Sequence, residues 1–376
     1  MGAGRGFCLE SWWRSVVVGA TPWARLWRPV LWILSLPWAA VVRTSHLLYR
    51  WRLLHSREAQ LPIVSVGNIS VGGTGKTTVC MYIAARLLEM DVKPAIVLRG
   101  HRRKSTGALL VSDGEKPLVD AALAGDEAWL LAQQLPRCPV AVATSREQAI
   151  SMIAERTAAQ VVLLDDGFQY YRLARQVDLV LLDAFSHGGS DRLMPAGQLR
   201  EPYSHLVRAT DIWITHADLA CPERRAALER LVSHYGRSLV LVEHAIDRIV
   251  TLQGETVDPQ CLIERRTVAV AGLGNPESFF AMLERDLGHA PIAIAFPDHH
   301  HYEQQDWVRV EEAVAGDPSV VVVTTPKDAV KLPAPPPGLD VFVVHPRIQV
   351  CSGQAYVDEM LQRIQSAIVD RNRPSG

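Results

Sequence analysis

The run SVGGTGKT, residues 70–77, sets three glycines, a lysine and a hydroxyl residue in the order in which a chain grips phosphate. It follows the apolar run Ile63–Val66 and precedes helix-forming sequence from about Lys76. Glycines at 72, 73 and 75 let backbone N–H groups turn inward around phosphate oxygens, and the positive end of the following helix faces the same space. Ser70, Val71, Gly72, Gly73, Thr74, Gly75, Lys76 and Thr77 are therefore the expected nucleotide cradle. Lys76 reaches the β- and γ-phosphates, and the Thr77 hydroxyl ligates Mg²⁺. Ser70 occupies the place of the first glycine in G-x-x-x-x-G-K-[ST]; Gly72 and Gly73 supply the freedom that Ser70 removes. The competing reading is an ordinary glycine turn.

A phosphate loop of this kind needs an acid at the end of a neighbouring strand to reach the metal. VVLLDDGFQ (residues 161–169) provides Asp165 and Asp166, and the sequence does not say which of them takes the metal. Guanine selection would call for N/T-K-x-D. THAD at 215–218 lacks the lysine, and TPKD at 325–328 has it one position late, so ATP is the expected nucleotide.

These residues need a scaffold. Continuous apolar runs at 63–66, 95–98, 140–143, 161–164 and 179–182 alternate with helical stretches at 77–89, 127–135 and 146–156. That pattern predicts an α/β fold whose parallel sheet is covered on both faces. Asp126 and Ser145 stand where helix N-caps belong. A second α/β series has apolar runs at 239–242, 267–271, 292–296, 320–324 and 341–344, with helices near 276–287, 304–315 and 356–368. The division predicted is a P-loop domain over 58–236 and a smaller α/β domain over 237–376, with a ribbon linker near 246–259. PAPPP at 333–337 reads as a stiff extended connection, and GLGNP as a tight strand–helix turn.

Residues 1–57 are different in composition. They hold eight arginines and one acid, so +7, whereas the whole chain of 376 residues is −1. The near-neutral total argues against a general nucleic-acid binder. Seven of the ten tryptophans also lie in this segment. The run PVLWILSLPWAAVV is fourteen residues long, short of the roughly 20 a spanning helix needs. Arginines on both sides and abundant tryptophan predict a helix lying in a membrane surface, with an internal buried helix as the alternative. Six cysteines without a C-x-x-C pair suit reduced thiols.

Taken in order, VGNISVGGTGKT, GDE (125–127), DDGFQ, LMPAGQLREP (193–202), GLGNPESFF (272–280), FPDHH (296–300) and TPKDAVK (325–331) resemble the tetraacyldisaccharide 4′-kinases of lipid A biosynthesis. The resemblance covers nearly the whole chain. That family has Ser or Thr where Ser70 stands; Thr78, where proline is common, is a departure. The resemblance implies transfer of the ATP γ-phosphate to the 4′-hydroxyl of an acylated glucosamine disaccharide 1-phosphate, giving lipid IVA. It implies Asp126 as acceptor of the hydroxyl proton with His299 assisting, and Arg146 and Arg200 on phosphate charge. Glu127, Gln169 and Glu201 are then supporting residues at the substrate. It also implies a peripheral or monotopic place on the cytoplasmic face of the bacterial inner membrane, with no obligate protein partner. From the residues alone, Asp126 also reads as a helix cap, and the arginines as surface groups. The rival function is a membrane-recruited P-loop ATPase that uses hydrolysis as a switch.

Overall fold

The computed structural model describes residues 13, 16–17, 24–101, 103–185, 191–298 and 300–372. Thirteen strands among them form one sheet: β1 (Ile63–Asn68), β2 (Pro94–Leu98), β3 (Leu109–Ser112), β4 (Val140–Val142), β5 (Val161–Asp165), β6 (Val177–Asp183), β7 (Asp211–Thr215), β8 (Leu239–Thr251), β9 (Thr256–Val257), β10 (Thr267–Ala271), β11 (Ile292–Ala295), β12 (Val321–Thr324) and β13 (Val341–Ser352). The order across the sheet is β11-β10-β12-β13-β8-β7-β6-β1-β5-β2-β4-β3, with β9 beside β8. Pairing is parallel except for β3–β4, β8–β9 and β8–β13.

Helices fill the connections. Those used below are α1 (Ala24–Arg50), α2 (Lys76–Glu89), α3 (Asp126–Gln134), α4 (Arg146–Arg156), α5 (Pro222–His234), α6 (Pro276–Leu287), α7 (Trp307–Val314), α8 (Pro326–Ala329) and α9 (Gln354–Asn372). Every residue of β1, β5 and β6 is buried, as continuous apolar runs require when both faces of a sheet are covered. Val64 and Val66 face a core with Val79, Ile83 and Leu87 of α2, while Ile63 turns to a second core with Ile150 and Ile153 of α4. Burying each such side chain fully contributes about 1.5–3 kcal/mol.

The expected ribbon at 246–259 falls on the antiparallel pair of β8 and β9. Residues 246–251 continue β8, which pairs antiparallel with β13 from Leu241 to Thr251, and only Thr256–Val257 folds back as β9. Along β8, Val240–Val242 are buried together, whereas the 246–251 stretch is mostly half-buried or exposed with Ile249 alone buried, so its apolar signal in the sequence is weak. The division at 236/237 falls between hydrogen-bonded strands, since Ile212 of β7 aligns with Leu239 of β8. The final helix α9 sends Val357, Met360, Leu361, Ile364 and Ile368 into the same core as α2. β3, β7 and α5 have no counterpart in the sequence reading. In β7 (DIWIT) only three apolar residues lie between Asp211 and Thr215, yet all five are buried.

α1 is 27 residues long, roughly 40 Å, nearly twice the fourteen-residue run that suggested it. By length and composition it is long and apolar enough to cross a membrane, which revises the expectation that it is too short. Leu31, Ser35 and Ala39 are buried at four-residue spacing, so one stripe packs on the protein. Leu26, Val30, Ile33, Leu34 and Val41 stay exposed, together with Trp27, Trp32 and Trp38.

Candidate active site

β1 leads into the 70–75 turn, and α2 begins at Lys76. Gly72 and Gly75 have φ of +114° and +78°, which a side chain would strain. A Cβ on Gly75 would also lie 2.6 Å from the His244 ring. That ring stacks on His216 at 4.4 Å, and His216 Nδ1 bonds Asp183 at 2.9 Å. Burial, then the neighbouring His216, push His244 well below its ordinary pKa, so a neutral ring supports the loop. Ser70 lies outside the positive-φ residues and forms a bridge with Leu199. The Val71 N–H donates to the Gln198 carbonyl at 2.8 Å and the Arg200 N–H to the Ile69 carbonyl at 2.7 Å. A residue that serves as a short strand has no need to be glycine. Asn68 Nδ2 donates to Thr74 Oγ1 at 2.9 Å, and Gln169 Nε2 to the Asn68 carbonyl at 2.8 Å, so Gln169 braces the loop from behind.

The two acids after β5 divide. Asp165 is buried and accepts from the Thr77 hydroxyl at 2.8 Å, while its Oδ1 has no hydrogen-bond partner among the described residues. Burial first, then the charge of Glu127, raises its pKa to about 6. A hydroxyl beside a buried, unpaired carboxylate oxygen is a donor set for a hard divalent cation. Asp166 sits at φ +56° and turns away. Arg200 Nη1 donates to both of its oxygens at 3.0 Å, and Lys76 Nζ lies 3.6 Å from Oδ1. Against burial, which would raise it, Lys76 and Arg200 hold Asp166 below the ordinary carboxylate range.

Asp126 opens α3 but does not cap it. The N-cap is Gly125, at φ +86° and ψ 147°, with no side-chain cap bond. The Asp126 carboxylate instead pairs with Lys331 Nζ at 2.9 Å, and Glu127 with Lys327 Nζ at 3.2 Å. Asp298 Oδ1 takes the same Lys327 at 3.3 Å. His299, the expected assistant to Asp126, lies outside the described residues. Ser145 occupies the cap position of α4, but its hydroxyl donates to Glu147 at 2.9 Å. TPKD also has a structural use: Thr325 caps α8, and Asp328 accepts from the Gly272 N–H at 3.0 Å. The GLGNP turn packs closely against the phosphate loop, for a Cβ on Gly274 would lie 3.1 Å from the Gly73 nitrogen.

Arg146 is not a surface residue. It is 4% exposed, donates from Nη1 to the Ala143 carbonyl at 3.1 Å and sits 5.4 Å from the Tyr170 ring centroid. Glu201 is 2% exposed and is held by this chain's own groups: Tyr171 Oη at 2.9 Å, His205 Nδ1 at 2.7 Å and Arg208 at 2.7 and 2.8 Å. Burial would raise its pKa, but the bonds from His205 and Arg208 outweigh it and set about 2. Lys327, Lys331, Asp298, His216 and His244 have no assigned role in the sequence reading. TPKDAVK carries both lysines; their partners lie about 200 positions earlier.

Comparison with known proteins identifies the family. The family described as tetraacyldisaccharide-1-P 4′-kinase matches residues 27–365. The chain is similar to the tetraacyldisaccharide 4′-kinase of Anaeromyxobacter dehalogenans (strain 2CP-C), 38% identical over 325 residues and 85% of each chain. It is also similar to that of Syntrophotalea carbinolica, 38% identical over 313 residues, 81% of this chain and 84% of the other. Among solved structures, LpxK from Aquifex aeolicus in complex with ATP superposes with a TM-score of 0.71 at 29% identity, over 90% of this chain and 99% of that one. The chain belongs to the tetraacyldisaccharide-1-phosphate 4′-kinase family.

Proposed function

We propose that this chain transfers the γ-phosphoryl group of ATP to the 4′-hydroxyl of a tetraacyldisaccharide 1-phosphate. The observation that carries the reading is the meeting of two charge systems at one crevice. Thr77, Asp165, Lys76, Asp166 and Arg200 gather beside the phosphate loop, and Glu127 of the Asp126 pair is close enough to act on Asp165. ATP would lie with its phosphates on the 70–77 backbone and Lys76. Mg²⁺ would be held by Thr77 and Asp165, where it supplies charge neutralisation to the transferring phosphate.

Asp126 is assigned to the acceptor. Lys331 occupies Oδ2 and leaves Oδ1 for the 4′-hydroxyl, whose proton it takes as the sugar oxygen bonds to the γ-phosphorus and the bond to ADP breaks. His299 follows Asp298, which Lys327 ties to Glu127, and this supports its assignment beside Asp126. Arg200, exchanging Asp166 for phosphate, and the nearby Arg146 bring cationic charge to the transition state. Gln169 and Glu201 shape the site from behind. In this reading residues 58–236 grip the nucleotide, and residues 237–376 bring α8 and Asp298 to the acceptor side.

A place on the cytoplasmic face of the bacterial inner membrane is supported by the +7 segment and by the exposed apolar stripe of α1. The buried stripe favours a helix lying along the surface over one crossing it. The test is incubation with γ-labelled ATP and Mg²⁺, with and without the disaccharide lipid 1-phosphate. Label on the lipid, and little phosphate release without it, is expected. Equal phosphate release with and without acceptor would establish the hydrolytic switch instead.

A further inference from the structure

The stripe of α1 that faces the protein does not rest on a neutral surface. Its polar and aromatic contacts fall on two segments, the one that carries Arg200, Glu201 and His205 and the one that carries Tyr171. Trp38 Nε1 donates to the Arg200 carbonyl at 3.1 Å. About two and three turns further on, His46 stacks on His205 at 4.1 Å and Tyr49 stacks on Tyr171 at 5.1 Å, nearly parallel in both cases. His205 and Tyr171 are two of the groups that hold the Glu201 carboxylate. Ser56, beyond the helix, donates to the Tyr171 carbonyl at 2.7 Å. Arg200 is therefore gripped through its own backbone from one side and through its neighbour Glu201 from the other. Its guanidinium reaches Asp166, which in turn lies beside Lys76.

An anchor that only tethers the enzyme would need none of these contacts; lipid affinity follows from the exposed face alone. We propose that α1 is a positioning element of the active site, in which Trp38, His46 and Tyr49 hold the 200–205 segment so that the Arg200 guanidinium stays in register with Asp166 and the phosphate loop. The proposal rests on the role given above to Arg200. It assigns Trp38, which faces half outward at 42% exposure, a task that its apolar neighbours Ile33 and Leu34 do not share. Small displacements of a charge-bearing group are costly in phosphoryl transfer, because catalysis there is mostly placement.

The test is a double-mutant cycle in the full-length protein, with ATP and a short-acyl disaccharide 1-phosphate dispersed in detergent, so that anchoring does not limit the rate. Trp38→Phe keeps an aromatic ring for the membrane surface and deletes the indole N–H. It is expected to lower kcat by roughly tenfold, with the KM for ATP within about twofold and flotation on anionic vesicles unchanged. Tyr49→Leu, which deletes the ring on Tyr171, should act in the same direction. In an Arg200→Ala background either change should cost less than about twofold, because the group being positioned is gone. Wild-type kcat in both variants would overturn the proposal. So would equal losses in both backgrounds, or a loss that tracks weakened flotation. Normal transfer by Arg200→Ala itself would remove the role of Arg200 and the positioning claim with it, whereas the other negative results leave that role standing.

Discussion

Two pairs of adjacent acids line this site, and they are held in opposite ways. Asp165 and Asp166 are fixed by near neighbours: the strand end, Thr77 and Lys76 of the adjoining loop, and Arg200 hydrogen-bonded to the same loop. They are split by environment, one buried and pushed up, the other held down by two cations. Asp126 and Glu127 have no such local frame. Each meets a separate lysine from a segment about 200 residues away. The difference teaches a division of labour. On the proposed mechanism the first pair serves metal and nucleotide, and its placement is set by the end of β5 and the neighbouring β1–α2 turn. On the same proposal the second serves the acceptor, and its placement depends on pairing with Lys327 and Lys331.

The hardest blow to the first pair's territory is Lys76→Ala. It should lower transfer by at least about 10³-fold, since it deletes the ammonium that neutralises the moving phosphate. Circular dichroism should show an intact fold, and near-normal turnover would remove the loop from the mechanism. Asp126→Asn should cost kcat about 10²–10⁴-fold, the range for acid–base work, with the KM for ATP nearly unmoved. If the ATP constant shifts as much as kcat, the acceptor assignment of the second pair fails.

Lys331→Met probes how the second pair is held. It leaves the Asp126 carboxylate without its 2.9 Å partner, and kcat should fall by roughly tenfold. Combined with Asp126→Asn it should add little, because the two act through one group. Independent, multiplying losses would show that Lys331 works elsewhere.

Glu201→Gln is a change of stability before it is one of rate. The carboxylate pKa falls from 4.5 to about 2 on folding, so it stabilises the folded state by about 3 kcal/mol above pH 4.5. That contribution is lost as pH falls from about 4.5 towards 2. Denaturant unfolding should show the wild-type advantage at pH 7 and its shrinkage in acid. A pH-independent difference would mean that shape, not charge, holds the Arg200 segment.

The first pair was legible in the sequence because everything that defines it is close in the chain or in the next strand. SVGGTGKT and VVLLDD keep their meaning whatever surrounds them, and strands such as Thr267–Ala271 announce themselves by continuous apolar character. The second pair was legible only as a motif. Asp126 read as a cap because Asp favours caps, but Gly125 has the backbone angle that ends the preceding turn. Nothing in TPKDAVK says that Lys327 and Lys331 will face residues 126 and 127, since pairing across folded segments leaves no spacing to read. β3 and β7 were harder to read because each has only three apolar residues in a row, Leu109–Val111 and Ile212–Ile214, shorter than the runs that marked the other strands. α1 ran past its apolar run because a helix continues through any residues that tolerate it, and its stripe only becomes visible when something lies beneath it.

The division of labour is tested most directly by calorimetric titration of Mn·ATP and metal-free ATP into the wild type, Asp165→Asn and Asp126→Asn, with lipid phosphorylation measured on the same preparations. The account predicts that Asp165→Asn binds metal-free ATP normally but loses the gain that the metal gives, by roughly tenfold or more in affinity. Asp126→Asn should bind Mn·ATP like the wild type and fail to phosphorylate the lipid. Normal metal dependence in Asp165→Asn, or lost metal dependence in Asp126→Asn, would contradict it.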